Sequence, residues 1–282
     1  MNNCVLITGC SSGIGRATAF HFQNQGWNVV ATMRSPENES ELTSYPNVLV
    51  DYLDLTSQDS IDTAVDNAMR RFEKIDVLVN NAGIGVWAVF EEVDEAVIRE
   101  SFETNVFGTM RVTRALLPHF RENKKGTIII VSSTMPHLGA PLSILYCSTK
   151  KAVEGFGHAL YYELFPLGIR VKIVQPGSTR TNIAMQREFL DPPRIEEYAP
   201  ICDEVFRSFQ HRYETESVPS PEEPAKVIYQ AAVDKSQRFR YFSGRDAKMM
   251  GFMMRLFPEH TLKNLVSRMF GINKLVPTAD TS

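Results

Sequence analysis

The sequence predicts an α/β protein, a single Rossmann-type doubly wound parallel sheet of about seven strands with helices on both faces. Three observations predict it. Short β-branched runs recur between longer segments of helical period, the alternation of βαβ units. Most of these runs are continuously apolar, as strands covered on both faces must be. A glycine-rich loop, Gly9 to Gly15, stands directly between the first such run and the first helical segment.

In chain order the strands are expected at Cys4–Thr8, Trp27–Met33, Asn47–Leu53, Asp76–Asn80, Thr127–Ser132, Arg170–Gln175 and Phe239–Phe242. Helix ends are readable between them. Gly26 can close the first helix, Thr56-x-x-Asp59 has the form of a capping box, and Ser220-Pro221-Glu222-Glu223 sets a cap, a first-turn proline and dipole-favoured acids together. The chain of 282 residues shows no internal repeat and no low-complexity linker, so residues 1–282 are expected to form one domain. Its least patterned part, 182–220, holds Pro192-Pro193 and Pro200 among mixed charge and suits a substrate lid. A helical tail is expected over 245–282.

Composition narrows the function. With 43% hydrophobic and 22% charged residues the chain is neither disordered nor fibrous, and 30 basic against 33 acidic residues leave a charge of −3 with no basic cluster. No nucleic-acid partner is expected. Cys4, Cys10, Cys147 and Cys202 form no CxxC pair and no metal-ligand spacing, so they read as reduced thiols of a cytoplasmic protein without a metal. The start, Met1 to Ile7, has no basic n-region. The uncharged stretch Gly126 to Thr149 carries too many serines and prolines for a transmembrane segment.

The loop Thr8-Gly9-Cys10-Ser11-Ser12-Gly13-Ile14-Gly15 between a strand and a helix reads as a dinucleotide site. Glycines let the backbone approach a pyrophosphate without a Cβ in the way, and the helix N-terminus offers free N–H groups and a favourable dipole. The spacing Gly9-x-x-x-Gly13-x-Gly15, with Asn80-Asn81-Ala82-Gly83, Asn105 in Asn-Val-Phe-Gly, Ser133, Tyr146-x-x-x-Lys150 and Pro176-Gly177 followed by Thr181, resembles the classical short-chain dehydrogenase/reductase family from about Cys4 to Thr181. The remainder is similar only loosely to the 17β-hydroxysteroid dehydrogenase-like branch. The resemblance implies that Ile14, Asn81, Ala82, Gly83, Pro176, Gly177 and Thr179 line the cofactor with the glycine loop, that Lys150 reaches the nicotinamide ribose, and that Asn105 holds a water linking Lys150 to solvent. It also implies a homodimer or homotetramer.

Residues four apart share a helix face, so Lys150 can stand near the phenol of Tyr146. A neighbouring cation favours the phenolate and is expected to bring Tyr146 toward the range of a general acid/base. Ser133 can hydrogen-bond the same substrate oxygen. Lys151 points about 100° away around the helix and belongs to the surface. Cofactor choice turns on Met33-Arg34-Ser35, where an NAD enzyme would carry an acid roughly 20 residues beyond the glycines. Arg34 with Ser11 and Ser12 suits a 2′-phosphate, which favours NADP(H) over NAD(H). Asp54 is expected either to accept from the adenine amine, with Leu55 beside the ring, or to cap a helix.

Met249, Met250, Phe252, Met253, Met254, Leu256 and Phe257 crowd one segment. Helix packing, an adaptable pocket for a bulky hydrophobic substrate, and contact with a membrane surface beside Lys248 and Arg255 all remain open. The expected activity is hydride transfer between NADP(H) and a hydrophobic alcohol or carbonyl compound of steroid, retinoid or fatty type, with Tyr146 as acid/base. The alternatives are a catalytically silent NADP(H)-binding regulator and an epimerase or dehydratase, the latter wanting a larger substrate region than follows Thr181.

Overall fold

Alternate residues of each strand leave the sheet on opposite sides, and in this chain both sides are apolar. The computed structural model describes residues 2–181, 193–215 and 218–275. Its strands are β1 (Cys4–Thr8), β2 (Asn28–Met33), β3 (Val48–Tyr52), β4 (Val77–Asn80), β5 (Gly126–Val131), β6 (Ile169–Pro176) and β7 (Arg240–Ser243). They form one seven-stranded sheet in the order β3-β2-β1-β4-β5-β6-β7, and every pair is parallel. All the strands expected from the sequence are present, with ends moved by a residue or two.

The helices are α1 (Gly13–Asn24), α2 (Gln58–Phe72), α3 (Glu95–Phe102), α4 (Thr109–Glu122), α5 (Ile144–Leu164), α6 (Ala199–Thr215), α7 (Glu222–Val233), α8 (Arg245–Leu256) and α9 (Glu259–Met269). Leu6 of β1 and Ile128 and Ile130 of β5 pack with Ile61 of α2, Leu116 and Phe120 of α4 and Val153 of α5 on one face. Their neighbours Val5, Ile7, Ile129 and Val131 pack with Phe22 of α1 and Ile228 of α7 on the other. Fully burying a side chain of this size contributes about 1.5–3 kcal/mol, so the continuous apolar runs read in the sequence hold the two helical layers to the sheet.

Local signals held in part. Gly26 lies just past α1 with φ 75°, as a closing glycine should. The helix start expected at Thr56 falls one residue later: Ser57 caps α2 by accepting from the Ser60 N–H, because Thr56 is drawn back by the Asp54 carboxylate. At α7 the proline takes the cap position and Glu222 and Glu223 the first turn. Part of the expected lid, 182–192 and 216–217, lies outside the described residues, as does 276–282 of the tail. The remainder of both is chiefly α6, α8 and α9. Among the described residues no helix is long and apolar enough to cross a membrane.

The strand order reverses direction between β1 and β4, and there the loops after both strands part and leave a crevice at their carboxyl ends. α5 closes one side of it. Gly157 lets α5 lie close to the sheet: a Cβ there would stand 3.0 Å from Ile130 Cδ1 and 3.4 Å from Ile173 Cδ1. Gly157→Val should therefore overpack this contact and lower the unfolding free energy by about 1–3 kcal/mol in urea denaturation. A variant as stable as the parent would show that α5 can withdraw freely.

Candidate active site

The loops after β1, β2, β4, β5 and β6 open onto one cavity of about 690 Å³. Its floor is the glycine loop. Gly9 and Gly13 have φ of 75° and 57°, a left-handed backbone that L side chains resist. A Cβ on Gly9 would stand 2.9 Å from Ala82 Cα, and one on Gly15 2.1 Å from the Gly9 carbonyl oxygen. The loop is thus folded hard against the turn after β4. Thr8 fixes that turn, its Oγ1 accepting from the N–H groups of Asn81 and Ala82, each at 3.1 Å. The Asn81 side chain returns the contact by donating to Thr8 O and Gly9 O. α1 begins at Gly13 with no side-chain cap from Ser12, so its first-turn N–H groups meet the cavity as an anion site. A dinucleotide pyrophosphate fits this cradle, because the space a Cβ would fill is where the backbone must come close.

Ser133 follows β5, and Tyr146 and Lys150 project from the first two turns of α5 into the same cavity. The Lys150 ammonium donates to the Val131 carbonyl at 2.9 Å and lies 5.9 Å from the centre of the Tyr146 ring. Here the sequence expectation needs correction. Burial raises the Tyr146 phenol to about 12, a hydrogen bond with Ser133 pulling the other way, rather than Lys150 bringing it toward neutrality. Burial also lowers Lys150, to about 8, against the pull of Glu154. The ammonium is aimed at the backbone of β5 instead of the phenol oxygen, so desolvation outweighs attraction at both groups.

Asn105 and Gly15 do not line the cavity; they stand behind its wall. Asn105 lies in a π-helical turn, Glu103–Gly108, between α3 and α4. Its amide accepts from Ile84 N at 2.8 Å and donates to Ile84 O at 2.8 Å and to Thr149 Oγ1 at 3.0 Å. Thr149 in turn donates to the Tyr146 carbonyl at 3.1 Å. The Asn105 side chain therefore ties the turn after Gly83 to the helix of Tyr146 and Lys150.

At the other end the exposed Arg34 lines the cavity with Ser11 and Ser12. Arg16, the other cation near the glycine loop, is committed to Glu39 at 3.1 Å and Glu41 at 2.8 Å. Asp54 and Leu55 line the wall, but Asp54 Oδ1 accepts from both the backbone and the hydroxyl of Thr56. One oxygen of Asp54 is thus spent on a turn. Pro176, Gly177, Thr179 and Thr181 line the side formed by the end of β6. Among the described residues no cluster of metal-ligating side chains occurs.

Sequence reasoning missed Asp246. Its carboxylate accepts from Ser178 N at 2.7 Å and occupies the space beside Gly177 that a Cβ would need. An acid in the first turn of α8, just after Gly244, was its only signal. The apolar wall was legible in part: Met249, Met250 and Met253 of α8 line the cavity, Met249 largely exposed at its rim, while Phe252, Leu256 and Phe257 are exposed outside it. Trp87, Phe209 and Phe270 come from three other elements and carried no common pattern in the sequence.

A family model described as short chain dehydrogenase matches residues 3–189. Retinol dehydrogenase 8 of Bos taurus is 33% identical over 79% of this chain and 76% of its own length. The crystal structure of a short-chain dehydrogenase from Streptomyces avermitilis superposes with a TM-score of 0.75 at 30% identity, covering 99% of this chain and 98% of that one. ElxO with NADP bound superposes with a TM-score of 0.70 at 27% identity, covering 86% and 98%.

Removing the Asn105 side chain would leave the Ile84 N–H and C=O without their partner in a partly buried place and take one of its two hydrogen bonds from Thr149 Oγ1. Asn105→Ala should lower the unfolding free energy by about 1–3 kcal/mol, read from chemical denaturation. Unchanged stability would mean that water replaces the amide without loss.

Proposed function

Since the chain belongs to the short chain dehydrogenase family and is an oxidoreductase, we propose that it is an NADP(H)-preferring carbonyl reductase for a bulky hydrophobic ketone or aldehyde. The observation that supports this reading is that one cavity is lined by Arg34, by Tyr146 with Ser133 and Lys150, and by an apolar group of methionines and aromatic rings. When bound there, the nicotinamide would supply the hydride to the carbonyl carbon. The protein's residues supply binding, orientation and the proton.

The first-turn N–H groups of α1 and the glycine loop hold the pyrophosphate. Arg34 meets the 2′-phosphate with a planar, permanently charged fork, a task that Arg16 cannot share while paired to two glutamates. Tyr146, raised to about 12, is protonated at neutral pH and gives its phenolic proton to the carbonyl oxygen as negative charge develops there, which suits reduction. Ser133 donates a hydrogen bond to the same oxygen. Lys150 keeps a positive charge beside them below its pKa of about 8. The methionines of α8 and the rings of Trp87, Phe209 and Phe270 exclude water and accept an apolar chain or ring system. The chain's similarity to a retinol dehydrogenase and to ElxO with NADP bound supports the same substrate and cofactor classes. The presence of Ser133, Tyr146 and Lys150 in one cavity favours an enzyme over a silent regulator.

Tyr146→Phe deletes only the transferable proton. It should reduce kcat with NADPH and the best carbonyl substrate by a hundredfold or more, roughly the share general acid catalysis contributes, with NADPH affinity nearly unchanged. Turnover at the parent rate would remove Tyr146 from the reaction. Arg34→Ala should weaken NADPH by roughly ten- to a hundred-fold and leave NADH almost unchanged, since hydrogen bonds between charged groups are worth about 1.5–3 kcal/mol. Equal loss for both cofactors, measured as the ratio of their kcat/KM values, would assign Arg34 to the surface.

A further inference from the structure

Three consecutive residues at the end of β5 meet three residues on one face of α5. Ser133 stands beside Tyr146 and holds its pKa down against burial, the Val131 carbonyl accepts from Lys150 at 2.9 Å, and Ser132 donates to Glu154 Oε1 at 2.6 Å. Glu154 follows Lys150 by one helical turn, as Lys150 follows Tyr146. Both are buried, Lys150 to 5% and Glu154 to 2% exposure, though the proton chemistry proposed above makes no use of the carboxylate.

The carboxylate is heavily served. Gln175 of β6 donates to Oε1 at 2.6 Å, and Arg240 of β7 donates to Oε2 at 3.3 Å. His137, in the turn after β5, holds its Nε2 3.6 Å from Oε2, and Gln175 donates to that same nitrogen at 2.5 Å. Burial lowers the pKa of this imidazole, against the pull of Glu154. From α5 itself the neighbours are Lys150 and, through Arg240, His158 at 2.7 Å. Even so, Gln175 Oε1 and Arg240 Nε have no protein partner among the described residues. A buried charge with such a shell is weak evidence for stability, since apolar residues of the same volume would fill the space as well or better. What distinguishes this carboxylate is its place, one turn beneath the lysine of the reaction and bonded to the residue before Ser133.

We infer that Glu154 is a positioning residue for the reaction: it anchors Ser132 beneath Ser133 and supplies the negative charge that keeps the buried Lys150 an ammonium. The inference rests on the roles proposed above for Tyr146, Ser133 and Lys150. Its sign is definite. Burial drives Lys150 down to about 8 and Glu154 pulls it up, so the ammonium is present below that pH and is lost as pH rises through it. Removing the carboxylate must move this loss to lower pH.

The test is an NMR titration of the ligand-free protein labelled with 13C-lysine, the Lys150 signal being assigned by its disappearance in Lys150→Arg. Wild type should titrate near 8 at this residue. Glu154→Gln, which keeps the shape and can still accept from Ser132, should lower the midpoint by about one pH unit, a tenfold change in proton affinity of the size one nearby charge produces. Glu154→Asp, which withdraws the charge by one methylene, should fall between them and stands in if the Gln variant does not fold. The alkaline limb of kcat/KM should move with the NMR midpoint while KM for the carbonyl substrate stays close to wild type. A Lys150 midpoint that does not move in a folded variant overturns the inference, even where thermal stability drops, because a merely structural glutamate would lower stability alone. The titration needs neither substrate nor cofactor. Its failure would leave the reductase reading standing, whereas a wild type that turns over no carbonyl compound would remove that reading without touching the titration.

Discussion

The contact between α5 and the end of β5 is the constraint on which the rest of this molecule depends. Lys150 gives its ammonium to the Val131 carbonyl, Glu154 takes the Ser132 hydroxyl, and Gly157 allows the helix to lie close enough for both. β5 is held between β4 and β6 in a parallel ladder and packed on both faces, so its end is a fixed point. Whatever is tied to that point inherits its rigidity. Tyr146 is tied to it through the same helix, and Asn105 adds a second tether through Thr149. A reacting group must be held to a fraction of an ångström. In this chain one helix is fastened to one strand end at two successive residues, Val131 and Ser132.

Burial then decides the electrostatics. Taken by itself, a lysine four residues from a tyrosine favours the phenolate, but here both groups are withdrawn from water and each moves toward its neutral form, Tyr146 to about 12 and Lys150 to about 8. A phenol that keeps its proton is what the proposed reduction requires of Tyr146. The opposite end of the cavity follows a different rule. Arg34 is exposed and needs no buried partner, while Arg16 is neutralised by Glu39 and Glu41. One cavity thus combines an exposed cation, a desolvated phenol and an apolar wall.

The seven strands and their continuously apolar character were legible because a strand covered on both faces leaves no room for polar alternation. The glycine loop was legible for a related reason: Gly9, Gly13 and Gly15 occupy places where a Cβ would collide or the backbone turns left-handed, so composition reports geometry directly. The positions of Ser133, Tyr146 and Lys150 in one cavity followed from motif order. Other parts were not legible. Ser57, not Thr56, caps α2, since the choice depends on Asp54 holding Thr56, a contact between side chains that periodicity does not carry. The direction of the Tyr146 shift depends on how deeply the cavity buries the phenol, which sequence spacing cannot express. Asp246 and the aromatic part of the substrate wall come from segments far apart in the chain, and only the fold brings them together.

The proposed activity is the reduction of apolar carbonyl compounds with NADPH in this cavity. The most direct measurement is the loss of NADPH absorbance at neutral pH with a homologous series of aldehydes of increasing chain length, joined by steroid and retinoid carbonyl compounds. kcat/KM should rise with apolar surface, by up to about fourfold for each methylene the wall buries at ~0.8 kcal/mol, and NADPH should be preferred to NADH throughout. Consumption confined to short polar carbonyl compounds, or faster with NADH, would contradict it.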